Sequence, residues 1–149
     1  MNSERLTEIV TEGMKKPSPF GVSCKFIKLD DMWGIKVYRN KEIRDNAVMR
    51  QTKMYGLGYA PAIGASFDIG DDKFCYITEV AIPIVDYTPE NADKFVIMCR
   101  MAEEEYPGIR EEVSKLVKNM RKNDYDYFDD HYGNFGWLNG KLVCIDFGF

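Results

Sequence analysis

The side chains best suited to chemistry lie in the last part of the chain. Asp129, His131 and Asn134 form the pattern Asp-x-His-x-x-Asn, and Asp146 opens an Asp-Phe-Gly turn further downstream. Asn134 and Asp146 offer hard oxygen ligands that suit Mg²⁺, an ion that keeps several waters and takes few protein groups. Phosphoryl transfer needs such an ion to neutralise the phosphates, and a carboxylate to orient the attacking hydroxyl. The pattern therefore favours phosphoryl transfer, with Asp129 as the orienting carboxylate and His131 as a brace of the loop.

A tight hairpin is predicted between these two groups. Asn139-Gly140 separates two short apolar runs, and Asn-Gly in that setting is the strongest short-range signal of a β-hairpin. Asn134 and Asp146 are twelve positions apart in the sequence, but a hairpin would return the chain and bring them together. The alternative is an acidic loop beside an unrelated hairpin.

The loop, the hairpin and the turn together resemble the catalytic loop and metal-binding turn of the protein-kinase-like superfamily. The closer resemblance is to its aminoglycoside and choline phosphotransferase branch. It implies a single α+β domain in which an antiparallel sheet with one helix, about residues 14–86, precedes a reduced helical part, about residues 87–149. It also implies ATP and Mg²⁺ as cofactors, with Asp129 as the catalytic residue and Asn134 and Asp146 as metal ligands.

The same resemblance extends upstream. Trp33–Tyr38 looks like the strand that carries the phosphate-binding lysine, which makes Lys36 the candidate. Taken alone, a lysine between two apolar strand residues is equally well a solvated side chain. Tyr76–Ala81 looks like the strand that leads into the hinge, where the backbone around Glu79 and Ala81 would meet the edge of an adenine.

Three expected parts of the superfamily pattern are missing. No Gly-x-Gly-x-x-Gly loop precedes Lys36, so the segment 17–23 is the candidate for covering the phosphates. The helix expected over 41–55 has acidic residues only near its start, which leaves Gln51 as a neutral candidate for contact with Lys36. The sequence reaches Phe149 directly after the Asp-Phe-Gly turn, so the substrate-binding helices are expected to be absent.

Apolar periodicity and turn residues predict the elements that position these groups. Asn40 and Thr88 are the expected caps of the second and third helices, and Ile43, Ala47 and Met54 are the expected inner face of the second. Helices are predicted over 2–12, 41–55, 88–105 and 109–123, and strands over 23–29, 32–39, 63–69, 73–84, 135–138 and 141–146.

Composition narrows the classes of function. The chain has 149 residues, which suits one domain with a hydrophobic core. Its 20 basic and 24 acidic residues give a net charge of −4, so neither nucleic acid nor an anionic membrane is expected as a partner. No apolar stretch is long enough to span a membrane, and residues 1–13 do not resemble a signal peptide, so a cytoplasmic location is expected. The four cysteines are expected to be buried free thiols.

Two functions remain open at this point. A minimal phosphotransferase would move the γ-phosphate of ATP to a hydroxyl of a protein or of a small molecule. A non-catalytic kinase-like module would bind nucleotide or dock on a partner without turnover. The missing substrate helices favour the second reading, and they suggest a homodimer that covers the face where those helices would lie.

Overall fold

The computed structural model describes residues 2–16, 24–88 and 90–148. The segment 17–23, predicted above as a phosphate cover, lies outside the described residues, as do Pro89 and Phe149. The described chain is an α+β fold, as predicted, in which an antiparallel sheet precedes two of the helices and a smaller second sheet. None of the helices in the described ranges is long and apolar enough to cross a membrane.

The elements follow the predicted order, with changes at several boundaries. The α-helices are α1 (Ser3–Met14), α2 (Lys41–Gly56), α3 (Phe95–Glu105) and α4 (Ile109–Lys122). The strands are β1 (Lys25–Lys28), β2 (Trp33–Tyr38), β3 (Ile63–Ile69), β4 (Lys73–Glu79), β5 (Ile82–Pro83), β6 (Phe135–Leu138) and β7 (Lys141–Cys144). Short 3₁₀ turns lie at Ala92–Lys94 and Tyr132–Asn134.

The first sheet has the strand order β1-β2-β4-β3, and all of its pairs are antiparallel. Helix α1 packs on one face, where Val10 joins Ile35 and Val37 in a small apolar core. Helix α2 packs on the opposite face, against β2, β3 and β4. Because successive side chains of a strand point to opposite faces, Lys36 lies on the α2 face.

Helix α2 begins where the sequence predicts, since the Asn40 side chain accepts a hydrogen bond from the Ile43 amide at 3.1 Å. The prediction that Ile43 faces inward is wrong, because this residue is 39% exposed. Arg44 is buried in its place, where its guanidinium lies 2.9 Å from the Asp68 carboxylate and donates to the Cys75 carbonyl at 2.9 Å. Because its charge is paired with Asp68, the Arg44 side chain can take an interior position that periodicity assigns to an apolar residue. The buried residues of α2 are Arg44, Ala47, Gln51 and Met54.

Strand β4 ends at Glu79, whereas the sequence predicts a strand that continues to Ile84. The Val80 amide donates to the Met32 carbonyl at 2.8 Å, and the chain then crosses to the second sheet. There β5 pairs with β6 at the edge of a sheet ordered β5-β6-β7. Pro83 suits this edge position because proline has no N–H to donate to a central ladder.

Helix α3 begins later than predicted, and Thr88 is not its cap. The Thr88 amide donates to the side chain of Asn91 at 2.9 Å, and Asn91 in turn donates to the Asp86 carbonyl at 2.7 Å. These local bonds compete with a helical start at Thr88, so the α-helix begins only at Phe95, after the 3₁₀ turn.

Helix α4 and the last hairpin follow the predictions closely. Asn139 and Gly140 both have positive φ, 52° and 78°, as a two-residue turn of type I′ requires. Strand β7 ends at Cys144, two residues earlier than predicted. The buried stripe of α4 is the predicted one and consists of Ile109, Val113, Leu116, Val117 and Met120.

Candidate functional site

Aromatic packing holds the segment that leads into the candidate catalytic loop, where residues 125–130 have no regular structure. Tyr127 is fully buried, and its ring centre lies 5.4 Å from that of Tyr125 and 5.7 Å from that of Phe135. Arg121 donates to the Tyr127 carbonyl at 2.9 Å. The backbone is therefore anchored two residues before Asp129, while the Asp129 side chain is about half exposed, at 45%.

Asn134 closes the loop. Its side-chain nitrogen Nδ2 donates to the Asp129 carbonyl at 2.7 Å, and its backbone N–H donates to the His131 carbonyl at 3.0 Å. With only 6% of its surface exposed, Asn134 holds both ends of the six-residue pattern in one compact turn. The spacing of five positions is what allows one side chain to reach back across the loop.

His131 braces the loop, which is the role that the sequence predicts for it. Its Nδ1 accepts a hydrogen bond from the Gly133 amide at 3.1 Å, so the ring proton of the neutral form sits on Nε2. That Nε2 lies 3.7 Å from Oδ1 of Asp129, and the ring stands edge-on to Phe95 with centres 5.4 Å apart. The imidazole is thus held between the loop backbone, the Asp129 carboxylate and α3.

The Asp-Phe-Gly turn lies beside this loop because the hairpin returns the chain. The chain leaves β7 after Cys144, and the Ile145 amide then donates to the Asn134 carbonyl at 2.8 Å. The residue directly before Asp146 is therefore hydrogen-bonded to the loop. One oxygen of the Asp146 carboxylate accepts a hydrogen bond from the Gly148 amide at 3.0 Å. Phe147 is fully buried and anchors the turn in the core.

Lys36 is the buried cation of the site, with only 7% of its surface exposed. Its ammonium donates to the Ile145 carbonyl, 109 positions away, and lies 5.7 Å from the centre of the Tyr76 ring and 5.6 Å from that of Phe147. Burial lowers the pKa of this ammonium, but its polar neighbours, Tyr76 foremost, raise the pKa above its ordinary value. The group therefore carries its charge at neutral pH and is not a solvated strand lysine.

Helix α2 does not supply an ion-pair partner to Lys36. Gln51, the predicted candidate, bonds instead to Thr78, to the Pro61 carbonyl and to the Tyr76 hydroxyl. Asp45 pairs with the basic side chains of its own helix. Among the described residues, no carboxylate of α2 forms an ion pair with Lys36.

The two hinge residues that the resemblance singles out have different surroundings. The Glu79 amide donates to the Ala62 carbonyl at 2.9 Å, and the Glu79 carboxylate accepts from the Ala62 amide at 3.2 Å. The Glu79 side chain therefore fastens β4 to the chain before β3. The amide of Ala81 has no hydrogen bond to any residue in the described part of the chain.

The side-chain oxygens of Asn134 and Asp146 are of the chemical type that magnesium takes, and no group of three or more His, Cys, Asp or Glu side chains that could hold a metal occurs among the described residues. The side-chain nitrogen of Asn134 is engaged by the Asp129 carbonyl. Its side-chain oxygen Oδ1 is the atom that could accept a ligand. Asp146 uses one carboxylate oxygen for the Gly148 amide and keeps the other. Two such ligands suit Mg²⁺, which retains much of its water when bound to proteins.

Tyr76 is the residue of this site that the sequence interpretation missed. The sequence pattern places Tyr76 only on the strand leading into the hinge, whereas the β2–β4 register sets it directly opposite Lys36. Directly opposed residues in an antiparallel pair share a face, so the two side chains must meet. The sequence could have predicted this contact only if the register between the two strands, whose paired residues are 40 positions apart, had been known.

A scan against protein-family models and a search of curated proteins both return no match. The function of this chain has therefore to be inferred from its own side chains. These combine the buried cation of Lys36, the carboxylate of Asp129 on a braced loop, and the side-chain oxygens of Asn134 and Asp146.

Proposed function

We propose that this chain is a protein-kinase-like domain that binds ATP with Mg²⁺ and transfers the γ-phosphate to a hydroxyl acceptor. One continuous path of hydrogen bonds supports the proposal. Lys36 donates to the Ile145 carbonyl, and the Ile145 amide donates to Asn134. Asn134 then donates to the Asp129 carbonyl. The path connects Lys36, Asn134 and Asp129, and Asp146 is the residue that follows Ile145. These are the four polar residues for which the sequence predicts this chemistry.

Each residue has a distinct part in the proposed reaction. Lys36 provides positive charge for the phosphates, and the Ala81 backbone offers a hydrogen bond to the base. Mg²⁺, held by Asn134 and Asp146, would neutralise the phosphate charge. The Asp129 carboxylate orients the acceptor hydroxyl and takes up its proton as the oxygen bonds to the γ-phosphorus. The bond from that phosphorus to the bridging oxygen breaks, and ADP leaves.

A second candidate function is a non-catalytic module that binds nucleotide, or docks on another protein or a second copy of this chain, without turnover. The observation that favours it is the engagement of the Lys36 ammonium by a backbone carbonyl. A ligand phosphate would have to compete with that carbonyl. Binding and turnover must therefore be measured separately.

Calorimetric titration with ATP, in the presence and absence of Mg²⁺, tests the proposal. We expect magnesium-dependent binding that Asp146→Asn weakens strongly and that Asp130→Asn leaves unchanged, since Asp130 is an exposed acid of the same loop. Nucleotide at a hundredfold excess over its dissociation constant should also stabilise the fold by about 2.7 kcal/mol. The failure of the wild-type protein to bind ATP up to millimolar concentration would refute the proposal.

Asp129→Asn separates the two candidate functions. We expect this variant to bind ATP as the wild type does, because Asn134 bonds to the Asp129 backbone and not to its side chain. If the wild type releases ADP in the presence of an acceptor hydroxyl and Asp129→Asn does not, the chain is a phosphotransferase. Equal and negligible ADP release by both, with binding intact, would leave the non-catalytic module.

A further inference from the structure

The position of Lys36 depends on a polar contact between α2 and β4. Gln51 is fully buried on α2, and its Oε1 accepts a hydrogen bond from the Tyr76 hydroxyl at 2.8 Å. Its Nε2 donates to the Thr78 hydroxyl at 2.8 Å and to the Pro61 carbonyl at 3.0 Å. Every polar atom of the Gln51 side chain is thus occupied, and its orientation is fixed.

Tyr76 stands between Gln51 and Lys36. The Tyr76 hydroxyl proton goes to Gln51, and the electrostatic interaction with Tyr76 raises the pKa of the Lys36 ammonium. The ring itself lies 5.7 Å from the ammonium, within the range of a cation–π contact. Tyr38 stacks almost parallel to Tyr76, with centres 6.1 Å apart and planes 7° apart, which holds the ring in place.

We propose that Gln51 and Tyr76 act as positioning residues for Lys36, so that α2 orients the phosphate-binding lysine through a neutral relay and not through an ion pair. The inference rests on the proposed function, because it concerns how that site presents its cation to phosphate. The Tyr76 phenol, held by Gln51 and stacked on Tyr38, lies against one side of Lys36. The Ile145 carbonyl and the Phe147 ring hold the other side.

A relay and a set of independent contacts differ in how mutations combine. Gln51→Leu removes the acceptor of the Tyr76 proton, and Tyr76→Phe removes the hydroxyl while keeping the ring and its cation–π contact. In a relay, each change breaks the same link. We expect each single variant to weaken magnesium–ATP binding about threefold to tenfold, the range of one net hydrogen bond. The double variant should be no weaker than either single one.

The titrations use the full chain, with thermal unfolding recorded for each variant to establish that it is folded. Met49→Ala, an exposed position on the same helix, is the matched control and should bind as the wild type does. Lys36→Met is the reference for complete loss of the cation, with an effect of roughly tenfold to a hundredfold.

The outcomes separate the relay from the function on which it rests. No ATP binding by the wild type would overturn both. ATP binding that Lys36→Met weakens, but that Gln51→Leu and Tyr76→Phe leave unchanged, would overturn the relay alone. Additive losses in the double variant would do the same, because they would show that the two side chains act independently on a folded protein.

Discussion

The two faces of the first sheet use the same strands but different side chains. On the α1 face, Val10, Ile35, Val37 and Cys75 form a core without a charged group. On the α2 face, Lys36 is buried beside Tyr76, and Phe26 at the β1 edge stays 45% exposed. Residues next to each other in sequence thus serve different purposes. The α1 face is purely apolar, whereas the α2 face combines the apolar core around Ala47 and Met54 with a buried charge.

The largest effect is expected from the α1 face. Ile35→Ala removes a fully buried side chain and leaves a cavity against Val10, so the free energy of unfolding should fall by about 2–5 kcal/mol. Denaturant unfolding measures this change. Ile97→Ala, the same substitution at a residue that is 59% exposed, is the control and should change stability by no more than about 0.5 kcal/mol. Equal losses for the two variants would contradict the assignment of the α1 face as core.

A smaller effect is expected at Phe26, which lies opposite Lys36 in the register and on the same face. Its ring covers Gly34 so closely that a Cβ there would collide with it. Because nearly half of the residue stays in contact with water, Phe26→Ala should cost only about 1 kcal/mol in unfolding free energy. Ile27→Ala is the neighbouring comparison, since Ile27 packs on the α1 face. A larger loss for Phe26→Ala than for Ile27→Ala would reverse the comparison of the two faces.

The smallest effect on stability is expected at Lys36 itself. Lys36→Met removes the cost of dehydrating the ammonium together with its hydrogen bond to the Ile145 carbonyl, and these two changes oppose each other. Lys36→Met should therefore change the free energy of unfolding by less than about 1 kcal/mol, while weakening ATP binding if the proposed function is right. A loss as large as that of Ile35→Ala would mean that the lysine has a structural role.

Much of the fold was predictable because it depends on neighbouring residues. Asn40 caps α2, Asn139-Gly140 forms the last turn, and the apolar stripe of α4 is buried as predicted. In each case a few adjacent side chains decide the local conformation. The ends of helices were less predictable where a polar side chain bonds to the local backbone outside the helix, as Asn91 does before α3.

The candidate site was predictable in its residue types but not in its contacts. The spacing of Asp129, His131 and Asn134 permits the loop that the structure shows, because one asparagine reaches back across five positions. Periodicity could not place Arg44 in the interior, since its burial depends on Asp68 and on a carbonyl of another strand. Periodicity also could not predict that Gln51 bonds to Tyr76 and not to Lys36.

The sequence alone was enough to predict most of the helices and the two-residue turn of the last hairpin, and to single out Lys36, Asp129, Asn134 and Asp146 as the candidate site residues. Two contacts could be seen only in the folded chain: the Lys36 ammonium donates to the Ile145 carbonyl, 109 positions away, and Tyr76 stands between Lys36 and α2. The physical reason is the range of the interactions. Caps and turns are settled by side chains a few positions apart, whereas a buried charge takes whatever partners the packing of distant strands and helices places around it.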